Sequence, residues 1–180
     1  LLYTMEAMAI SPEKLDAGLV CFYLFNIVHL KEGEGIFQDA GIPHAYLRGQ
    51  NVELMACSDN VIRGGLTPKY VDIVELLKIV DCREVTPQII SAAPQNQSEF
   101  TYKTPVNDFA LAQIRVEPQQ HTELNLQSAG ILLVMQGELK IQEKSTALTL
   151  KQGESAFITA DSNVEIMSEK GGYAFLAKLP

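Results

Sequence analysis

The sequence predicts a mainly β protein, built as a small antiparallel sandwich or barrel with a few short helices. Two observations lead to this prediction: short apolar, strand-like runs follow one another from Phe109 onward, and turn residues separate them at roughly regular intervals. The predicted strands of this part are 109–116, 130–136, 138–143, 147–150, 155–159, 163–168 and 173–178.

The first 83 residues are more mixed. Residues 1–10 are compatible with a helix, and Ser11-Pro12-Glu13 is typical of a second helix start. Strands are predicted at 19–30, from Gly35 to Gln38, and at 51–57. A helix is predicted to open at Thr67-Pro68, because apolar residues follow at helical spacing: Tyr70, Ile73, Val74, Leu76, Leu77 and Val80.

A polar, proline-containing stretch at 84–107 predicts a linker or domain entry. We therefore expect two domains, at 1–83 and 84–180. The chain opens on LLYTME, without an initiator methionine, and this start predicts a fragment of a longer protein.

Composition excludes some classes of partner. The net charge of −8 argues against nucleic acid, which requires clustered Lys and Arg, although one or two cations suffice to bind a small phosphate. No apolar run is long enough for a membrane span. The three cysteines, Cys21, Cys57 and Cys82, are widely spaced and odd in number, which favours a reducing cytoplasm over a disulfide framework.

Two segments share one template without a gap: residues 30–44 (LKEGEGIFQDAGIPH) and 150–164 (LKQGESAFITADSNV). The shared Leu, Lys, Gly, Glu, Phe and Ala indicate a strand, a glycine turn and a second strand, used twice. Gly33 and Gly153 suit a turn position that requires positive φ. Two similar turns arising by chance is the alternative explanation.

This template resembles the second motif of the cupin superfamily, which consists of antiparallel jelly rolls. The resemblance implies that His44 is a metal ligand, with Asp39 in place of the motif's proline and Gly41 retained. In the second copy Val164 stands at the histidine position, and the first-motif metal positions fall on Glu123, Asn125 and Gly130. We therefore expect a metal-free C-terminal cupin, its interior filled by side chains such as Leu133, Phe157 and Phe175.

The segments 40–49 (AGIPHAYLRG) and 52–69 (VELMACSDNVIRGGLTPK) resemble the C-terminal half of the type I mannose-6-phosphate isomerase family, with Gly64 where the family commonly has Ala. The resemblance extends over the whole chain. It implies a zinc-dependent intramolecular oxidoreductase that interconverts mannose 6-phosphate and fructose 6-phosphate.

Residue roles follow from that resemblance. His44 is implied to be one of four zinc ligands; the other three, a Gln, a His and a Glu, would lie in the missing N-terminal half of the same protein. Arg63 is implied to be the catalytic arginine. Residues implied to bind the phosphorylated hexose substrate are Tyr46, Glu53, Asp59 and Lys69. With one ligand only, we expect the isolated chain to be inactive.

The chemistry of these residue types is compatible with such roles. An enediolate that forms during aldose–ketose exchange is stabilised by a metal and by a fixed cation, and arginine keeps its charge and can make two parallel bonds. The sequence does not identify the base. Each of these residues also has a structural alternative. His44 could have a purely structural role, Arg63 could be a surface or capping residue, and Glu53 could be exposed on an edge strand. The alternative function is a non-catalytic cupin module that binds a sugar or a protein partner.

Overall fold

The computed structural model describes residues 16–58 and 60–180. The helices predicted at 1–10 and after Ser11 lie outside these residues, as does Asp59. Within them, a 3-10 helix covers Ala17–Val20, and two α-helices cover Cys21–Leu24 (α1) and Ile73–Ile79 (α2). The strands are β1 Glu34–Ile36, β2 Ile89–Ser91, β3 Ala93–Pro94, β4 Glu99–Tyr102, β5 Ala110–Val116, β6 His121–Leu126, β7 Gly130–Gln136, β8 Glu138–Glu143, β9 Thr146–Lys151, β10 Ser155–Ile158, β11 Ser162–Met167 and β12 Gly172–Lys178. The prediction of a mainly β, antiparallel protein with few short helices is confirmed.

The described residues form two compact units. The first unit runs up to Ile89, and the second holds Ile90–Pro180 together with Glu32–Gly35 and Leu54–Ala56. The two-domain division at 83/84 stays a prediction. Of the helices in the described residues, none has the length and apolar character needed to cross a membrane.

The strand predicted at 19–30 is wrong, because the chain begins this stretch with helical turns. Asp16 caps the 3-10 helix: one carboxylate oxygen, Oδ1, accepts a hydrogen bond from the Gly18 amide at 2.8 Å, and the other accepts one from the Leu66 amide at 3.0 Å. A cap that satisfies the first free amides favours a helical start. β-branched composition alone does not determine a strand when no neighbouring strand is present to pair with it.

Two further predictions in the first unit require correction. Residues 51–57 contain no strand. Helix α2 begins at Ile73 rather than at Thr67-Pro68, because the Asp72 side chain accepts a hydrogen bond from the Glu75 amide at 3.0 Å and thereby fixes the N-cap.

The second unit consists mainly of two antiparallel sheets. Their strand orders are β10-β7-β12-β5-β4-β3 and β6-β11-β8-β9, while β1 and β2 form a separate two-stranded sheet. The strands predicted after Phe109 are confirmed to within about two residues at each end. Strand β6 was not predicted, and the stretch 84–107 contains strands β2, β3 and β4 rather than a simple linker. Pro94 is compatible with β3 because this strand lies at the edge of its sheet.

The core of the second unit lies between these two sheets and is apolar. Strands β6, β7, β8 and β11 direct alternate residues into it, which is the period-2 pattern of a half-buried sheet. The cluster comprises Ala112, Ile114, Val116, Leu124, Leu126, Leu132, Val134, Leu139, Ile141, Leu150, Ile158, Val164, Ile166, Ala174 and Leu176.

The predicted side-chain directions are wrong by one residue at several positions. Phe157 is 67% exposed, whereas its neighbour Ile158 is buried. Likewise Leu132 and Leu176 are fully buried, and the residues predicted to fill the interior, Leu133 and Phe175, are only partly buried. A shift of one residue moves a side chain to the opposite face of its strand.

The same correction applies to the inferred first-motif positions in β6. Glu123 and Asn125 are exposed, and the inward-facing residues of this strand are Thr122, Leu124 and Leu126. The interior at this position is therefore lined by Leu124 and Leu126, and the polar side chains of Glu123 and Asn125 face outward.

The repeated glycine turn is confirmed. Gly33 has φ +81° and Gly153 has φ +85°, and a short strand begins within two residues of each, β1 at Glu34 and β10 at Ser155. The two copies differ further along, because Val164 is buried within strand β11 whereas His44 is exposed in a segment without regular structure.

Candidate functional site

The loop from Asp39 to His44 holds the residue most clearly suited to metal binding. Gly41 has φ +78°, and a Cβ atom added to it would lie 2.7 Å from the carbonyl oxygen of Ile79. The Gly41 carbonyl accepts a hydrogen bond from the Asp81 amide at 2.9 Å. Only glycine fits both this conformation and this close approach, so the loop lies against the residues that follow α2.

His44 is exposed, and its ring has a defined orientation. The Nδ1 atom lies 2.9 Å from the carbonyl oxygen of Ile42. A carbonyl only accepts hydrogen bonds, so Nδ1 carries a proton, and in the neutral ring Nε2 keeps its lone pair. This arrangement is typical of metal-binding histidines, whose second nitrogen donates to a backbone carbonyl.

Tyr46 lies beside His44 and is hydrogen-bonded to Glu53. The Tyr46 hydroxyl donates a hydrogen bond to Oε1 of Glu53 at 2.9 Å, and the rings of Tyr46 and His44 have centroids 6.0 Å apart. Partial desolvation, the hydrogen bond to Glu53 and the negative charge of that carboxylate raise the pKa of Tyr46 to about 12. Tyr46 therefore stays a neutral hydrogen-bond donor at physiological pH.

The other predicted site residues are less constrained. Arg63 and Lys69 are exposed, and Lys69 follows a turn in which its amide donates to the Thr67 hydroxyl at 3.2 Å. Within residues 16–58 and 60–180, no hydrogen bond or ion pair joins Arg63 or Lys69 to His44, Tyr46 or Glu53. The structure thus brings three of the predicted site residues together.

In the described part of the chain, the candidate site offers one nitrogen donor suited to zinc. The imidazole Nε2 of His44 suits zinc, which binds histidine nitrogen, cysteine sulfur and carboxylate oxygen. No group of three or more His, Cys, Asp or Glu side chains capable of holding a metal ion occurs among the described residues.

Two long-range contacts that support this region were not predicted from the sequence. Asp16 anchors the 3-10 helix to Leu66, close in sequence to Arg63, while Asp39 and Arg83 form an ion pair across the base of the His44 loop. Asp16 is a candidate helix cap by its type alone, but its partner is 50 residues away. The long-range pairing of Asp39 with Arg83 leaves no local pattern.

The antiparallel sheets, the repeated glycine turn and the histidine loop define a cupin-type protein. Residues 98–170 match the family model described as the mannose-6-phosphate isomerase cupin domain. The chain belongs to the mannose-6-phosphate isomerase family.

Similarity to individual proteins extends beyond that match. The chain is 42% identical over 149 residues to the mannose-6-phosphate isomerase of Salmonella typhimurium, covering 82% of this chain and 38% of the relative. It is 37% identical over 160 residues to that of Homo sapiens, covering 84% of this chain and 38% of the relative. The chain therefore spans about two fifths of the length of these relatives.

Solved structures agree with these sequence relatives. A crystal structure of a point mutant of the Salmonella typhimurium phosphomannose isomerase has a TM-score of 0.78 and 38% identity, over 91% of this chain and 43% of that one. A second crystal structure shows mannose 6-phosphate isomerase from the same organism bound to fructose 6-phosphate and zinc. Its TM-score is 0.58 and its identity to this chain is 35%. It covers 69% of this chain and 32% of that one.

Proposed function

We propose that this chain forms part of a zinc-dependent aldose–ketose isomerase that interconverts mannose 6-phosphate and fructose 6-phosphate. The observation that carries the proposal is the orientation of His44, whose Nδ1 is bonded to the Ile42 carbonyl and whose Nε2 is left for a metal. Family membership and the fructose 6-phosphate and zinc bound to a relative support it.

In this proposal His44 is one of the groups that hold zinc. The metal would polarise the carbonyl and hydroxyl oxygens at C1 and C2 of the sugar. Catalytic zinc sites use about three protein ligands, so the proposal includes the N-terminal half of the same protein, which would supply the others. The isolated chain is then expected to be inactive.

Arg63 has the catalytic role in the proposal. Its guanidinium would lie beside the oxygens on which negative charge develops as the proton moves between C1 and C2, and its planar fork can donate two parallel hydrogen bonds to them. The exposure of Arg63 leaves its side chain accessible to a substrate.

The remaining residues would bind and orient the phosphorylated hexose. Lys69 is a compact cation suited to the phosphate, and Asp59 is proposed to contact the sugar. The Tyr46–Glu53 pair offers a neutral donor beside a carboxylate acceptor, which together match a sugar hydroxyl.

We place the enzyme in the cytoplasm. The three free thiols at Cys21, Cys57 and Cys82 support this placement, because free cysteines persist in a reducing compartment. The net charge of −8 supports a small-molecule substrate rather than nucleic acid as the partner.

The second unit favours a different role for its own residues. Its apolar interior, with Val164 buried at 3% exposure in place of a histidine, supports a non-catalytic cupin that binds no transition metal. We propose that this unit has a structural function within the isomerase. The alternative for the chain is a non-catalytic cupin module that binds a sugar or a protein partner.

A chimera tests the proposed function. This chain replaces the matched segment of the Salmonella typhimurium enzyme, and turnover of mannose 6-phosphate is measured for the chimera and for the isolated chain, each with zinc. We expect zinc-dependent turnover in the chimera and none in the isolated chain. A folded chimera that binds zinc but lacks turnover would contradict the proposal, as would turnover by the isolated chain.

A further inference from the structure

An ion-pair cluster lies at the base of the His44 loop. Nη2 of Arg83 is 3.2 Å from Oδ2 of Asp39, and its Nε is 3.2 Å from Oδ2 of Asp81. The Arg83 amide also donates to Oδ1 of Asp81 at 3.0 Å. One guanidinium therefore links the first residue of the loop to the residues that follow helix α2.

Backbone contacts join the same two segments. The Asp81 amide donates to the Gly41 carbonyl at 2.9 Å, and the Ile42 amide donates to the Asp39 carbonyl at 3.4 Å. Gly41 lies so close to Ile79 that any side chain would meet the Ile79 carbonyl. The loop is thus fixed at Asp39 by charge and at Gly41 by the backbone.

The fixed segment ends at the carbonyl that orients His44. Ile42 directly follows Gly41, and its carbonyl oxygen accepts the hydrogen bond from Nδ1 of His44 at 2.9 Å. The 41–42 peptide is held at both its carbonyl and its amide, and this fixes the start of Ile42. A rotation about the Ile42 backbone that turns the 42–43 peptide, which carries this oxygen, moves the acceptor away from the ring. Without that acceptor, the Nδ1–H tautomer loses its stabilisation.

We propose that Arg83, through Asp39 and Asp81, is a positioning residue that sets the tautomer and orientation of His44. The pairs are exposed, with 57% of the Arg83 side chain accessible, so each pair alone is worth little. Their effect comes from holding the loop that begins at Asp39 in a fixed position relative to the residues that follow helix α2. The use of this orientation in zinc binding rests on the proposed function, but the orientation itself does not.

Nitrogen-15 NMR of the imidazole rings tests the proposal on the isolated chain without metal. The spectra are recorded at alkaline pH, where histidine is neutral. The chain has three histidines, and His29 and His121 serve as internal references. In the unsubstituted chain we expect the Nδ1–H tautomer of His44 to predominate.

Two substitutions remove the ion pair from opposite sides, Arg83→Gln and Asp39→Asn. Each is expected to lower the ratio of Nδ1–H to Nε2–H tautomers at His44 by about twofold to fivefold. The upper value corresponds to complete loss of the stabilisation that one net hydrogen bond provides. Arg83→Lys should restore part of the ratio, because lysine keeps the charge but not the two-sided geometry. An unchanged far-ultraviolet circular dichroism spectrum identifies variants that have kept their fold.

Lys78→Gln is the matched control. It removes another exposed ion pair of the first unit, Lys78–Glu75, which does not contact the loop. The proposal is wrong if His44 is unchanged in both test variants that keep their fold, or if Lys78→Gln alters it equally. If His44 responds as expected but the chimera described above neither binds zinc nor turns over substrate, the positioning role stands and the proposed function fails.

Discussion

The hydroxyl of Tyr46 donates a 2.9 Å hydrogen bond to Oε1 of Glu53, across a segment that contains no regular secondary structure. This hydrogen bond links Tyr46, two residues after His44, to a residue seven positions further along the chain. The tyrosine of this pair also lies beside His44, with ring centroids 6.0 Å apart.

This pair predicts a displaced titration of Tyr46. Its pKa of about 12 in the folded protein lies above the ordinary value of 10.0. Because the folded pKa is raised, the stabilising contribution is complete below pH 10 and is lost as the pH rises toward 12. The difference between the ultraviolet pH titrations of the unsubstituted protein and Tyr46→Phe measures this step.

Glu53→Gln is the companion variant for that titration. It removes the negative charge but leaves the partial desolvation, which is the largest cause of the shift. We expect a Tyr46 midpoint between 10 and 12. A Tyr46 midpoint near the ordinary value in the unsubstituted protein would contradict the hydrogen bond.

Two glycines in the second unit predict a contrast in stability. Gly137 and Gly153 have φ of +84° and +85°, but a Cβ atom at Gly137 would lie 2.6 Å from the Gly171 carbonyl oxygen, whereas nothing lies within 4 Å at Gly153. Gly153→Ala should cost about 1 to 2 kcal/mol through backbone strain alone. Gly137→Ala should cost clearly more, because the backbone atom it meets cannot move aside. Denaturant unfolding followed by circular dichroism gives both values, and equal costs would refute the close approach.

The side-chain directions in the second unit predict another contrast. Leu132 is fully buried, and Leu132→Ala should lower the free energy of unfolding by about 2 to 5 kcal/mol. Phe157→Ala should change it by no more than about 0.5 kcal/mol, since the ring is 67% exposed. Chemical denaturation of the two variants measures the difference. A larger loss for Phe157→Ala would restore the orientation that the sequence predicted.

After Phe109 the sequence predicted every strand except β6, because short apolar runs are separated by turn residues there, whereas β2, β3 and β4 were missed within a stretch interpreted as a linker. Alternation gives the existence of a strand but leaves its inward face ambiguous where apolar residues are consecutive, as at Phe157 and Ile158. The resulting error placed Phe157 inside. The first unit was harder to predict, because its turns depend on capping by Asp16 and Asp72 rather than on periodicity.

The candidate site shows a similar division. The Gly41-Ile-Pro-His44 motif identified the loop, since a glycine with positive φ and a histidine at its end carry a local signal. The Arg83 contact to Asp39 spans 44 residues, and the Asp16 contact to Leu66 spans 50, so both were missed. Whether Arg63, Lys69 and Asp59 lie beside His44 stays a prediction.

The most direct test of the central claim compares His44→Ala with Arg63→Ala in the chimera, by measuring bound zinc together with kcat and KM. His44→Ala should lose zinc and turnover together. Arg63→Ala should retain zinc and lose about 10²- to 10³-fold in kcat, as expected for a contact made mainly in the transition state. Stoichiometric zinc and normal turnover in His44→Ala would contradict the account, and an Arg63→Ala variant altered only in KM would reassign that arginine to substrate binding.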